Sequence, residues 1–191
     1  MTIVFDKGNN TKSNFKMIDE QVGLQYVGGL VSSYFKNLIL EANSGFQPEL
    51  IGGEQVPVYR IKKEIWGKDR TCIILISEQL LEGQIRGIHQ HLDKKFKILE
   101  KLKQQLEESK SKNRYDEKSL DEKLKKIVKG QFIDDIVRIE IFRLQNGKVS
   151  FSYSVDHDAF EKLKKEVLGR RILVSSRHEW SSEEIILAYR G

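Results

Sequence analysis

The nine residues Thr2-Ile3-Val4-Phe5-Asp6-Lys7-Gly8-Asn9-Asn10 hold the first group able to do chemistry. They set the Asp6 carboxylate at the end of a short, β-branched apolar run, directly before a glycine turn. A carboxylate on the carboxyl edge of a strand suits a hard divalent cation such as Mg²⁺. From spacing alone, an aspartate that merely caps the turn is the commoner outcome. A second group closes the chain: Arg170-Arg171 and Arg177-His178 flank an apolar strand, and Trp180 follows. Arginine beside an exposed aromatic can grip phosphates and stack on bases. Trp180 also stands immediately before Ser181-Ser182-Glu183-Glu184, where an apolar residue staples a helix start. The histidines offer no metal site. His89 and His91 are two apart on a helical segment and point to different faces, and His157 and His178 lack partners at zinc spacing. Cys72 sits in the apolar run Ile73-Ile74-Leu75-Ile76 and reads as a buried structural thiol. Gly28-Gly29 and Gly52-Gly53 lack the spacing of a phosphate loop, and no Gly-x-Ser-x-Gly elbow occurs.

These groups need a scaffold. With 191 residues, 39% hydrophobic and 32% charged, the chain can fold one substantial core or one core plus a smaller module. No apolar run approaches the roughly 20 residues that span a bilayer. The first residues lack a basic, apolar leader, and a single cysteine excludes an internal disulfide, so a cytoplasmic protein is expected. The net charge of +5 and a pI near 9.1 permit a nucleic-acid partner without requiring one.

The periodicity predicts a strand at Thr2 to Phe5, a helix at 14–21, a strand at Leu24 to Leu30 weakened by Gly28-Gly29, and a helix at 32–41, an α/β alternation. Val58 to Trp66 and Arg70 to Ile76 read as a hairpin about Gly67-Lys68-Asp69. Leu81, Ile85, Ile88, Leu92, Leu99, Leu102 and Leu106 mark a long amphipathic helix whose seam Lys95 interrupts. Leu120, Leu124 and Ile127 mark a second helix, joined to the first by the polar stretch Ser109 to Asp116. Together they predict an antiparallel helical hairpin. The lysine-rich faces, such as Lys94-Lys95-Lys97, read as solvated surface. Ile136 to Leu144 and Val149 to Val155 form a hairpin about Asn146-Gly147, and Asp156 or Asp158 caps a short helix ended by Gly169. A strand, Arg171 to Val174, and a helix opened at Ser181 complete the chain. That helix has run barely two turns at Gly191, which reads as a truncation.

Three segments resemble one family when taken together: Thr2 to Asn10; Tyr59-Arg60-Ile61-Lys62-Lys63-Glu64-Ile65-Trp66-Gly67-Lys68-Asp69-Arg70-Thr71; and Ile172 to Arg190. They are similar to the DDE-domain transposases of bacterial and archaeal insertion sequences, in the insertion-sequence-four superfamily. The likeness spans essentially the whole chain and lies in the combination, since each motif is weak alone. It implies an incomplete RNase H-like α/β core with an inserted subdomain. Residues 1–50 would open the core and 51–156 form the insertion, with β-hairpins 58–76 and 136–155 enclosing helical hairpin 78–130. Residues 157–191 would return to the core. In that family three acidic residues surround two Mg²⁺ (or Mn²⁺) ions, and Asp6 matches the second, at the end of a core strand. Tyr189 matches the tyrosine opening a signature of Tyr, two residues, Arg, three residues, Glu, six residues, Lys. The Arg, Glu and Lys would follow Gly191, and the first Asp would precede Met1. The implied chemistry is two-metal phosphoryl transfer on DNA, the ions about 4 Å apart.

A single aspartate cannot clamp two ions. The resemblance therefore implies a transposase fragment without DNA-cutting or DNA-joining activity of its own and without a tightly held metal, so whether the chain by itself is an enzyme stays open. Transposon ends and target DNA would be partners of the intact enzyme, with Lys7, Arg177, His178 and Trp180 as candidate contacts. The alternative is a non-catalytic basic module that binds DNA or self-associates through the Leu81-to-Leu106 seam. The simpler reading, and the one favoured here, packs that same seam on Leu120, Leu124 and Ile127 of its own chain.

Overall fold

A computed structural model describes residues 1–6, 8, 11–108 and 115–191. The chain divides into two compact units, Met1–Glu82 with Glu166–Gly191, and Gly83–Lys165. No described helix is long and apolar enough to cross a membrane.

The first unit is built on a six-stranded mixed sheet. Its strands are β1 (Thr2–Phe5), β2 (Gln25–Leu30), β3 (Gln47–Ile51), β4 (Glu54–Ile65), β5 (Lys68–Ile76) and, from the end of the chain, Arg170–Ser175, here β8. Their spatial order is β1-β2-β8-β5-β4-β3. β1 and β2 run parallel, connected by helix α1 (Lys12–Asp19), and every other pair is antiparallel. A 3₁₀ turn (Ser32–Phe35) and helix α2 (Lys36–Ala42) follow β2.

Both faces of this sheet are covered, which is why β5 reads as a nearly unbroken apolar run rather than an alternating one. Cys72 and Ile74 of β5 join Ile172 and Val174 of β8 under Phe15, Leu38 and Ile39 from α1 and α2. Ile73, Leu75 and Leu173 face the other way, against Ile185 and Ile186 of the last helix, α7 (Ser182–Arg190). Assigning the 58–76 hairpin to an inserted subdomain is therefore corrected. β5 pairs with β8 from Thr71↔Ser175 to Ile76↔Arg170 and β4 pairs with β3, so the hairpin lies inside the main sheet, between β8 and β3. The sequence reading also passed over β3, which carries Pro48. Pro48 is tolerated because β3 is the edge strand.

Arg70 fastens α1 to this sheet from within. It is 1% exposed, and its guanidinium bonds both oxygens of Asp19 at 3.2 and 2.7 Å and the Ile65 carbonyl at 2.9 Å. The same group lies over the rings of Phe15 and Tyr26, 4.7 and 5.3 Å from their centroids. A buried charge needs such complete partnering to be tolerable.

The second unit contains most of the long helix α3 (Glu78–Glu108), then α4 (Glu117–Val128), the short α5 (Ile133–Ile136), a two-stranded sheet of β6 (Val137–Arg143) and β7 (Val149–Val155), and most of α6 (His157–Glu166). Ile88, Leu92, Leu99, Leu102 and Leu106 of α3 are buried, as are Leu120, Leu124 and Val128 of α4, so this seam is covered within the chain. The stretch predicted to join the two helices, together with Asn9 and Asn10 of the first turn, lies mostly outside the described residues. Asp116 caps α4 through a reciprocal box with Ser119, and Asp156, not Asp158, caps α6 through the Ala159 amide at 3.0 Å.

Candidate functional site at the carboxyl end of the first strand

Asp6 follows β1 on the face that α7 covers. The register places Phe5 opposite Gly28, so the next position on β2 is Gly29. α7 comes to this point because both ends of the helix are fixed. Its first turn is closed by a capping box: the Ser181 hydroxyl accepts from the Glu184 amide at 3.1 Å, and the Glu184 carboxylate accepts from the Ser181 amide at 2.7 Å. Glu183 accepts a further bond from the Gly52 amide in the β3–β4 turn, at 2.9 Å. Ile185, Ile186 and Tyr189 then fall on one helical face, toward the sheet.

At the far end of that face the Tyr189 hydroxyl donates to Asp6 Oδ1 at 2.7 Å, across 183 positions of sequence. Gly29 makes this contact possible. A Cβ at that position would lie 2.6 Å from the Tyr189 hydroxyl oxygen and 3.1 Å from Cζ. The guanidinium of Arg171, on β8, stands 5.7 Å from the Tyr189 ring centroid. Burial pushes the Tyr189 phenol up to about 12; the bond to Asp6 and its charge add to the rise, while Arg171 opposes it. At neutral pH the phenol therefore donates and the carboxylate accepts. Gly29 did not stand out in the sequence as a site residue, and Arg171 stood out as a phosphate-gripping arginine rather than as a neighbour of Tyr189. The usable signal was a glycine pair inside a strand, which marks close approach of another group. Gly28 answers to the same reasoning: a Cβ there would meet the Phe5 ring at 2.4 Å.

The other candidates lie elsewhere. Arg177 donates through Nε and Nη2 to Thr2 Oγ1, at 3.0 and 2.8 Å, at the opposite end of β1 from Asp6. Four strand positions separate Thr2 from Asp6, about 13 Å at the usual rise. Arg177 also pairs with Glu179 at 3.1 Å and lies over the Trp180 ring, 5.1 Å from its centroid. Trp180 packs against the cluster containing Ile185, the arrangement of a hydrophobic staple. His178 shares a hydrogen bond between Nδ1 and Thr71 Oγ1 at 2.9 Å, and its carbonyl accepts from Arg60 at 3.0 Å. Arg177 and Trp180 are thus engaged in docking β1 and starting α7. Lys7 lies outside the described residues.

No protein-family model, curated protein or solved structure matches this chain.

Among the described residues no three His, Cys, Asp or Glu side chains gather as a metal site. Asp6 beside a phenol does not fit two divalent cations, which require several converging carboxylates. What the arrangement can do alone is hold one carboxylate in a fixed orientation.

Proposed function

We propose that this chain is part of a DDE-type transposase with an RNase H-like core, in which Asp6 is one of three metal-holding carboxylates and Tyr189 opens the signature that carries the last. The observation that carries the reading is the 2.7 Å bond between Asp6 and Tyr189, the two residues that the resemblance matches to one active site. The parallel β1–β2 pair with its α1 crossover, continued through β8 into α7, supports it. The remaining carboxylates would come from polypeptide outside these 191 residues, and Mg²⁺ or Mn²⁺ would bind between them and Asp6. DNA would be the substrate, and the chain by itself would neither cut nor join it. The test is nicking of supercoiled plasmid in Mg²⁺ by the chain as it stands and by versions lengthened with the flanking coding sequence, each with and without Asp6→Asn. The proposal expects cutting by the lengthened protein only, abolished by Asp6→Asn. Equal cutting by the Asp6→Asn variant would refute it.

A further inference from the structure

The positive charge of this protein is not where Asp6 is. Residues 83–165 carry 20 Lys and Arg against 14 Asp and Glu, a net of +6, whereas the Asp6-bearing unit carries 13 against 14, a net of −1. On the basic unit, a cleft of about 470 Å³ opens between one face of α3 and the loop joining α4 to α5. His91 and Lys95 line it from α3 and Lys129 from the loop, and no carboxylate lines it. Lys95 Nζ donates to the Lys129 carbonyl at 3.3 Å, which fixes this ammonium at the cleft beside the end of α4.

Two local costs coincide at the same place. Gly87 interrupts the 31-residue helix α3, where alanine would be the better former, and a Cβ there would meet nothing within 4 Å. No packing need within the protein explains this glycine, yet a side chain there would project into the cleft. Phe132, which also lines the cleft, holds a left-handed backbone with φ of 70°, a conformation unfavourable for an aromatic residue. Structural cost gathered around an open, cation-lined space is the signature of a ligand seat.

We propose that this cleft seats the phosphate backbone of duplex DNA, with Lys95 and Lys129 as the cationic contacts and His91 as a hydrogen-bonding one. The occupant follows from the chemistry. The lining offers cations and no carboxylate, and the described residues of this unit carry 17 Lys and Arg against 14 Asp and Glu, an excess of three positive charges that favours a polyanion over a small anion. Contact is with phosphates rather than base edges, so affinity is independent of sequence. The proposal does not depend on Asp6 and extends the earlier alternative of a basic binding module by giving it a site.

The test measures fluorescence anisotropy of a mixed-sequence duplex titrated with the full chain over a series of salt concentrations. Lys95→Gln with Lys129→Gln should weaken binding at least tenfold at low salt and lower the slope of log K against log salt by one to two, each phosphate contact contributing about 0.9. Gly87→Leu should fill the cleft, weaken binding and raise the melting temperature of the helical circular dichroism signal, which separates a ligand seat from a structural role. Lys16→Gln, at an exposed lysine of the Asp6-bearing unit, should bind as the unaltered chain does; because the readout is duplex binding rather than nicking, a failure here is distinguishable from a failure of the nuclease reading. No duplex binding at low salt, or unchanged binding by Gly87→Leu and the double lysine variant, would overturn the proposal.

Discussion

Polar contacts in the Asp6-bearing unit join the two ends of the chain, whereas those described in Gly83–Lys165 span shorter stretches, up to Tyr153 and Glu100 across 53 positions. Asp6 meets Tyr189 across 183 positions, Thr2 meets Arg177 across 175, and Asp19 meets Arg70 across 51. In the other unit Arg138 reaches Asp156 across 18 and Lys95 reaches the Lys129 carbonyl across 34. One buried ion pair distinguishes the first unit, whose other described pairs also expose one or both partners. Asp19–Arg70 is buried, while Arg138–Asp156, Arg143–Glu117 and Lys125–Asp121 each expose one or both partners to water. The first unit adds long-range polar contacts, the buried Asp19–Arg70 pair among them, to an apolar core on both faces of its sheet, and the second rests on an apolar seam to which surface charge adds little. Both tryptophans, Trp66 and Trp180, belong to the first unit, so their fluorescence reports its unfolding separately from the helical signal.

The largest effect is expected from Asp19→Ala, which strands the buried Arg70 guanidinium. It should cost about 3–5 kcal/mol in urea denaturation followed by tryptophan fluorescence. A further Arg70→Met change should restore much of that loss, because the stranded charge is then gone. Leu124→Ala, in the seam of the second unit, should cost about 2–5 kcal/mol, read by circular dichroism at 222 nm with the tryptophan transition left in place. If both probes move together for both variants, the two units do not unfold separately and the comparison breaks. Gly29→Ala should cost about 1–3 kcal/mol, because the added methyl forces the Tyr189 phenol and α7 outward. The smallest effect is expected from Arg138→Ala, below about 1 kcal/mol and reduced further by salt, since the arginine side chain is 65% exposed.

A pH measurement sharpens the same contrast. The raised Tyr189 phenol means that the native state keeps its proton longer than the unfolded state does. The resulting stability is present in full below the ordinary tyrosine value near 10 and is lost as pH rises from about 10 to 12. Tyr189→Phe should flatten that part of the alkaline stability profile. Cys72 behaves in parallel: burial pushes its thiol up to about 11, so a disulfide reagent at pH 8 should leave it unmodified until urea opens the first unit.

The sequence disclosed the second unit in large part because its signals are local. Asn146-Gly147 sets the β6–β7 turn, with Gly147 at φ 77°, and the leucine spacing sets α3 and α4. The first unit was legible element by element but not in assembly. Nothing near Val58 to Ile76 announces that these residues pair with Arg170–Ser175, and β3 escaped because its only buried residue is Ile51. Of the candidate site, Asp6 and Tyr189 could be named from sequence, while Gly29, which admits the tyrosine, and the place of Arg171 over its ring could not. Their meaning depends on strand register and on which helix lies across the sheet, and neither is written in local spacing.

All of this turns on whether the start and the end of the chain share one contact. A double-mutant cycle of Asp6→Ala and Tyr189→Phe, measured by denaturation with tryptophan fluorescence, reads that contact alone. The expected coupling is about 0.5–3 kcal/mol, as for residues in direct contact. Energies that add to within about 0.3 kcal/mol would mean that the carboxylate and the phenol do not meet, and both the site and the function proposed for it would be wrong.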